Sequence, residues 1–189
     1  MEAIKTINYQ DHVIKIFFDE NYDSDFLNEA DDIFLVYYHR SFWVTRKGFE
    51  NEPSEDEFAE LQKEYYFIPV YAYIHSGVSL SLGTSNYPFN CRFDTSLCGG
   101  IFIKKDSEYF QDNEIRIKAA QAVIDEYNNV LSGQVFGYEI TYNDDFVDSC
   151  WGFIGYYEKS GIIDECKSLI DCKIKRNPEK YYKTLEIVF

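Results

Sequence analysis

Residues 112–153 read DNEIRIKAAQAVIDEYNNVLSGQVFGYEITYNDDFVDSCWGF, and within this stretch the apolar pattern passes from helical to extended periodicity. Ile115, Ala119, Ala122, Val123, Tyr127 and Val130 recur every three or four residues, the spacing that lines one side of a helix. A helix is predicted over roughly Asp112–Leu131, closed by Gly133, the residue type that best tolerates a helix C-terminus. Gln134–Tyr142 and Phe146–Phe153 then read as two strands of a hairpin turning at Asn143-Asp144-Asp145.

Upstream, Val13–Phe18 and Ile33–Tyr38 are short β-branched and aromatic runs between acidic, turn-like stretches, and both read as strands. Ser54 followed by Glu57 is a capping box, which starts a helix over Ser54–Tyr65 with Phe58 and Leu61 as its apolar stripe. Val70–Ser76 and the alternating Val78–Leu82 return to extended structure, with Gly77 as the bend between them. Gly83–Cys98, rich in Gly, Ser, Asn and Pro, reads as a long loop that packs through Tyr87, Phe89 and Phe93. Gly99–Lys104 rejoins the sheet, and a helix around Ile162–Cys172 and a tail from Pro178 end the chain. The absence of a βαβ rhythm predicts an α+β fold: a mainly antiparallel sheet with two or three packed helices. That sheet is expected to hold Val70–Leu82, Ile101–Lys104, Gln134–Tyr142 and Phe146–Phe153, with the 112–131 helix on one face. A single domain over 1–189 is expected, with an acidic part (1–65), a β-rich core (66–156) and a C-terminal helix and tail (157–189).

The 189 residues carry 33 Asp+Glu against 18 Lys+Arg, a formal charge of −15, which argues against direct binding to nucleic acid or an anionic membrane. The charge is uneven. Residues 1–64 hold 16 acids and 6 bases, and 106–150 hold 10 and 2, whereas 65–105 and 151–189 are near neutral. With 16 Phe, 17 Tyr and 2 Trp the chain is too aromatic for wholesale disorder. Cys91, Cys98, Cys150, Cys166 and Cys172 are odd in number and irregular in spacing, which reads as reduced intracellular thiols. Neither a signal peptide nor an apolar run long enough to span a membrane is read in the sequence, so a cytoplasmic protein is expected, in a bacterial host cell.

Nucleotide-phosphate loops, dinucleotide fingerprints and zinc-hydrolase or deaminase signatures are missing, and no cofactor or metal is expected. Among His12, His39 and His75, the last stands at a strand end before a glycine, where a histidine can serve as general base. Cys150 is its candidate nucleophile and Asp94 the residue that would orient the ring, giving a small hydrolase or transferase. The same residues also read as a structural hydrogen-bonder and a small apolar side chain. On a regular strand Trp151 should face opposite to Cys150, with one of them toward the core.

The order Ala72-Tyr73-Ile74-His75-Ser76-Gly77, Tyr87-Pro88-Phe89, Phe93-Asp94-Thr95, Gly99–Ile103, Leu131–Tyr138 and Asp148-Ser149-Cys150-Trp151-Gly152-Phe153 resembles a largely uncharacterised family of small bacteriophage and mobile-element proteins. The resemblance covers about residues 66–156, departs at Cys98 before the glycine pair, and carries no catalytic assignment. It implies a genome that must survive host nucleases.

Two acidic clusters bear on that setting. Asp19, Glu20, Asp23, Asp25, Glu29, Asp31 and Asp32 form the first, and Glu50, Glu52, Glu55, Asp56, Glu57, Glu60 and Glu64 the second. Rows of carboxylates on a rigid surface approximate the charge of a nucleic-acid backbone and fit the basic channel of a nucleic-acid enzyme. Tyr22, Phe26, Phe49 and Phe58 are the candidate anchors among them. The expected partner is therefore a basic host protein, a nucleic-acid-binding nuclease or defence effector, inhibited in anti-CRISPR or anti-restriction fashion. A solvated acidic face that only maintains solubility is the alternative.

Overall fold

A computed structural model describes residues 1–22, 27, 30–83, 89, 91 and 93–181. The elements are β1 (Lys5–Tyr9), β2 (His12–Phe18), β3 (Ile33–His39), β4 (Phe42–Val44), α1 (Glu55–Glu64), β5 (Tyr65–Ile74), β6 (Val78–Leu82), β7 (Thr95–Lys104), α2 (Asn113–Leu131), β8 (Val135–Tyr142), β9 (Asp145–Ile154), α3 (Ile162–Arg176) and α4 (Pro178–Tyr181). The fold is α+β with antiparallel pairing throughout, but the strands form two sheets where one was expected. They belong to two compact units: residues 1–22 with 133–189, and residues 23–132, which enter the chain between β2 and β8. Among the described residues, no helix is long and apolar enough to cross a membrane.

The first unit holds the sheet β1-β2-β8-β9. Both hairpins turn on two residues in the left-handed region, Gln10 and Asp11 (φ 47° and 59°) and Asn143 and Asp144 (φ 49° and 67°). Such turns match the right-handed twist of the strands they join. Ile14 and Ile16 of β2 and Phe136, Tyr138, Ile140 and Tyr142 of β8 form one apolar face. Against it α3 sets Ile162, Cys166, Ile170 and Ile174, each four residues after the last. Burying a side chain of this size contributes roughly 1.5–3 kcal/mol. Asp164 and Glu165 in the first turn of α3, and Lys173, Lys175 and Arg176 in the last, complement the helix dipole. Neither Cys150 nor Trp151 turns to this core, and both are exposed on the edge strand β9. The pairing of β8 with β9 slips between Phe136 and Tyr138, and Gly152 takes φ 88°, so the simple alternation expected there breaks. Trp151 instead lies over Gly137, where a Cβ would come within 2.1 Å of the indole.

The second unit holds the sheet β4-β3-β7-β5-β6 with a helix on each face. On one face, Leu35, Tyr37, Val70, Ala72, Ile101 and Ile103 pack against Ala120, Ile124 and Tyr127 of α2. The buried stripe of α2 is thus rotated from the predicted one, and Ile115 is half-exposed. Asn128 of α2 both accepts from Leu80 N (2.8 Å) and donates to Leu80 O (3.0 Å), closing the open edge of β6. On the other face, Phe34, Val36, Phe49 and Phe102 are buried, with Phe58 and Leu61 of α1, Tyr65 and Phe67 packed over them. Phe34 stacks on Phe102 at 5.6 Å, and Phe67 meets Phe58 edge-on at 4.8 Å.

The central strand β7 is pressed between β3 and β5. A Cβ at Gly99 would lie 2.0 Å from Val36 O, and one at Gly100 would lie 2.4 Å from Ile68 O. Next to this point the β5–β7 register shifts between Pro69 and Tyr71. The buried Tyr37 hydroxyl donates to Ser96 O (2.6 Å) and accepts from Ala72 N (3.1 Å), so the irregularity leaves these two backbone groups satisfied.

Two outcomes are expected. Gly99→Ala places a methyl against a backbone carbonyl that cannot swing away, and should cost about 1–3 kcal/mol or more in urea unfolding. An unchanged midpoint would show that β7 has room. Burial, with Glu165 and Asp148 nearby, pushes the Cys166 thiol up to about 12. In the native protein at pH 8, Cys166 should therefore resist alkylation while the exposed Cys150 and Cys172 react, as mass spectrometry of the labelled peptides would show.

Candidate interaction surface

The segment before α1 folds around two carboxylates. Glu50 Oε1 accepts from Gly48 N at 2.9 Å, which lowers its pKa. Ser54 begins the helix with the predicted capping box. Its hydroxyl accepts from Glu57 N (3.4 Å), and Glu57 Oε2 accepts from Ser54 N (2.9 Å) and Oγ (2.7 Å). The Ser54 hydroxyl and amide hold the Glu57 carboxyl below its ordinary value. Both groups are therefore fixed in place and ionised at neutral pH. Glu55, Asp56 and Glu57 crowd the first turn, where the helix dipole favours negative charge.

Two adjoining hollows open on this face. The first, of about 530 Å³, is lined by Glu50, Glu52, Glu57, Glu60 and Glu64, with Lys63 as the one base on its wall. Lys63 Nζ is itself bound to Glu60 at 2.6 Å. The second, of about 300 Å³, has walls of Tyr38, Phe58, Phe67, Leu97 and Phe102, with Glu52 and Glu55 also in its lining. Glu52 and Pro53 belong to both. Tyr38 donates its hydroxyl to Phe49 O at 3.0 Å. Burial, then the negative charges of Glu52 and Glu50, push that hydroxyl up to about 12. The carboxylates therefore act on a side chain of the apolar wall.

The first acidic cluster falls only in part within the described residues. Asp19 and Glu20 belong to the first unit and Asp31 and Asp32 to the second, while Asp23, Asp25 and Glu29 lie outside the described residues, as do Phe26, Tyr87 and Pro88. Three of its carboxylates are engaged within the chain. Asp19 Oδ1 accepts from Asn21 N (3.2 Å), and Asp32 Oδ2 accepts from Ser107 Oγ (2.7 Å). Asp31 pairs at 3.2 Å with Arg46, whose guanidinium also donates to Ala30 O and covers the Phe34 ring at 4.3 Å.

Of the catalytic candidates, His75 follows β5 and Asp94 precedes β7, and the two meet with Nδ1 and Oδ2 3.9 Å apart. Cys150 stands on β9 of the other unit. The thiol that meets Asp94 is Cys91, three residues before it, whose Sγ donates to Oδ2 at 3.3 Å; no spacing motif in the sequence marks this pair. Among the described residues, no three His, Cys, Asp or Glu side chains are grouped to hold a metal ion.

The raised Tyr38 pKa fixes a pH dependence. A phenol that ionises near pH 10 in the unfolded chain and near 12 in the folded one favours folding fully below about pH 10. That contribution is lost as pH rises from about 10 to 12. Urea midpoints across this window should fall less steeply in Tyr38→Phe than in the natural chain, and parallel curves would contradict the burial and charge assigned to Tyr38.

Compared with known proteins, the chain matches no family model, no curated protein and no solved structure.

Proposed function

We propose that this is a non-enzymatic binding protein that engages a basic protein partner through the α1 face and blocks it. The observation that carries this reading is the hollow lined by Glu50, Glu52, Glu57, Glu60 and Glu64, with a single lysine already paired to one of them. Two of these carboxylates are held by backbone amides and a helix cap, so the negative field is fixed in position before any partner arrives. Fixed charges of one sign speed encounter with the opposite sign and disfavour wrong partners. A nucleic-acid-binding nuclease or defence effector presents the complementary surface, a basic channel shaped for phosphates. The resemblance of residues 66–156 to phage and mobile-element proteins supports the same setting, that of an anti-restriction or anti-CRISPR inhibitor. The second acidic cluster carries the reading because five of its carboxylates line one hollow within a single unit.

The test is charge reversal at exposed carboxylates that hold no cap. Glu52→Lys, Glu60→Lys and Glu64→Lys together should slow association with a basic restriction endonuclease or RNA-guided nuclease about 10-fold or more at low salt. The difference should shrink near 0.5 M salt, roughly, as the fields are screened. Stability should change little, since exposed charges contribute about 0–1 kcal/mol each. Equal association rates for the two chains at low salt, or no association of the natural chain with any such nuclease, would overturn the reading.

A further inference from the structure

The apolar hollow beside the carboxylates asks for an occupant of its own. Its walls come from four elements: Tyr38 from β3, Phe58 from α1, Phe67 from β5, and Leu97 and Phe102 from β7. Leu97 is 51% exposed there, an apolar side chain turned half to water in a concave wall. A volume of about 300 Å³ is at the small end of ligand sites, fitting one large side chain better than a drug-sized molecule. The surroundings restrict what that side chain can be attached to. Glu52 and Glu55 line the hollow itself, and the adjoining one adds Glu50, Glu57, Glu60 and Glu64. An anion would be repelled, and so would a second copy of this chain with its charge of −15. A neutral apolar ligand would leave the carboxylates unanswered.

Resting on the function proposed above, we infer that the hollow seats one aromatic or long aliphatic side chain carried on a Lys/Arg-flanked segment of the partner. The anchor enters between α1 and β7, and its cationic neighbours lie along Glu52 into the acidic hollow. Aromatic walls suit an aromatic plug, because rings meet edge-to-face as Phe58 and Phe67 already do. The division of labour follows from the physics. The charges set the rate of encounter, and the buried side chain sets the lifetime of the complex.

Three synthetic peptides test this on the full chain by calorimetry: Lys-Arg-Phe-Arg-Lys, the same peptide with Ala in place of Phe, and a neutral Ser-Gln-Phe-Gln-Ser. The Phe peptide with basic flanks should bind about 10–100-fold tighter than its Ala counterpart, as expected for burying one large apolar side chain. Leu97→Ser should erase most of that difference and leave the affinity of the Ala peptide unchanged. Because Leu97 is half-exposed the variant should fold, and the peptide series on the natural chain stands without it. Equal affinity of the Phe and Ala peptides overturns the anchor while the acidic-face reading survives. A neutral Phe peptide that binds as well as the basic one overturns the charged flank and, with it, the proposed basic partner. Failure of all three to bind overturns the inference outright, and the nuclease assay then judges the function separately.

Discussion

The second unit depends on how closely β3 and β5 press on β7. At Gly99 and Gly100 the neighbouring backbone carbonyls come so near that no side chain can be carried, and the double glycine is what lets three strands meet there. The register shift beside it is sealed by one buried hydroxyl, Tyr37, which satisfies Ser96 O and Ala72 N. Leu97, paired with Tyr71 beyond the shift, then lines the hollow under α1. Gly99 is also part of the wall of that hollow.

Around that constraint the two faces of the sheet do different work. The α2 face is mainly aliphatic, with a buried core of twelve residues, and supplies stability. The α1 face is aromatic and only partly covered, since α1 has no fully buried residue and touches the layer chiefly through Phe58 and Leu61. A short helix resting on an aromatic layer leaves gaps that an incoming side chain can use. The same helix carries acids in its first turn, so the feature that stabilises it locally also places negative charge at the mouth of the hollow.

Much of this was legible in the sequence where the signal is local. The capping box fixed the start of α1 at Ser54, and the Asn143-Asp144 turn fixed the β8–β9 hairpin. What could not be read was pairing at long range. β2 takes β8 as its partner across more than a hundred residues, from His12↔Tyr142 to Phe18↔Phe136, and nothing local in either strand names the other, so two sheets read as one. β1 and β4 are short edge strands with little buried surface, and hence almost no apolar periodicity to detect. For the site, composition found the second acidic cluster but not which carboxylates bond within the fold. Asp31 and Asp32 look the same in sequence as Glu52 and Glu55, yet the first two are tied to Arg46 and Ser107. The apolar hollow left no trace because its walls come from segments scattered between Tyr38 and Phe102.

The central claim is that negative charge acts at one place, the α1 face, and not over the acidic surface at large. The most direct measurement is amide chemical-shift mapping of the isotope-labelled chain titrated with a short arginine-rich peptide at low salt. The expected result is perturbation concentrated at residues 50–64, Tyr38 and Leu97, with little at Asp106, Glu108, Asp144 and Asp145. Shifts spread evenly over every acidic segment would contradict it, and would leave the carboxylates as a solvated surface with no preferred seat.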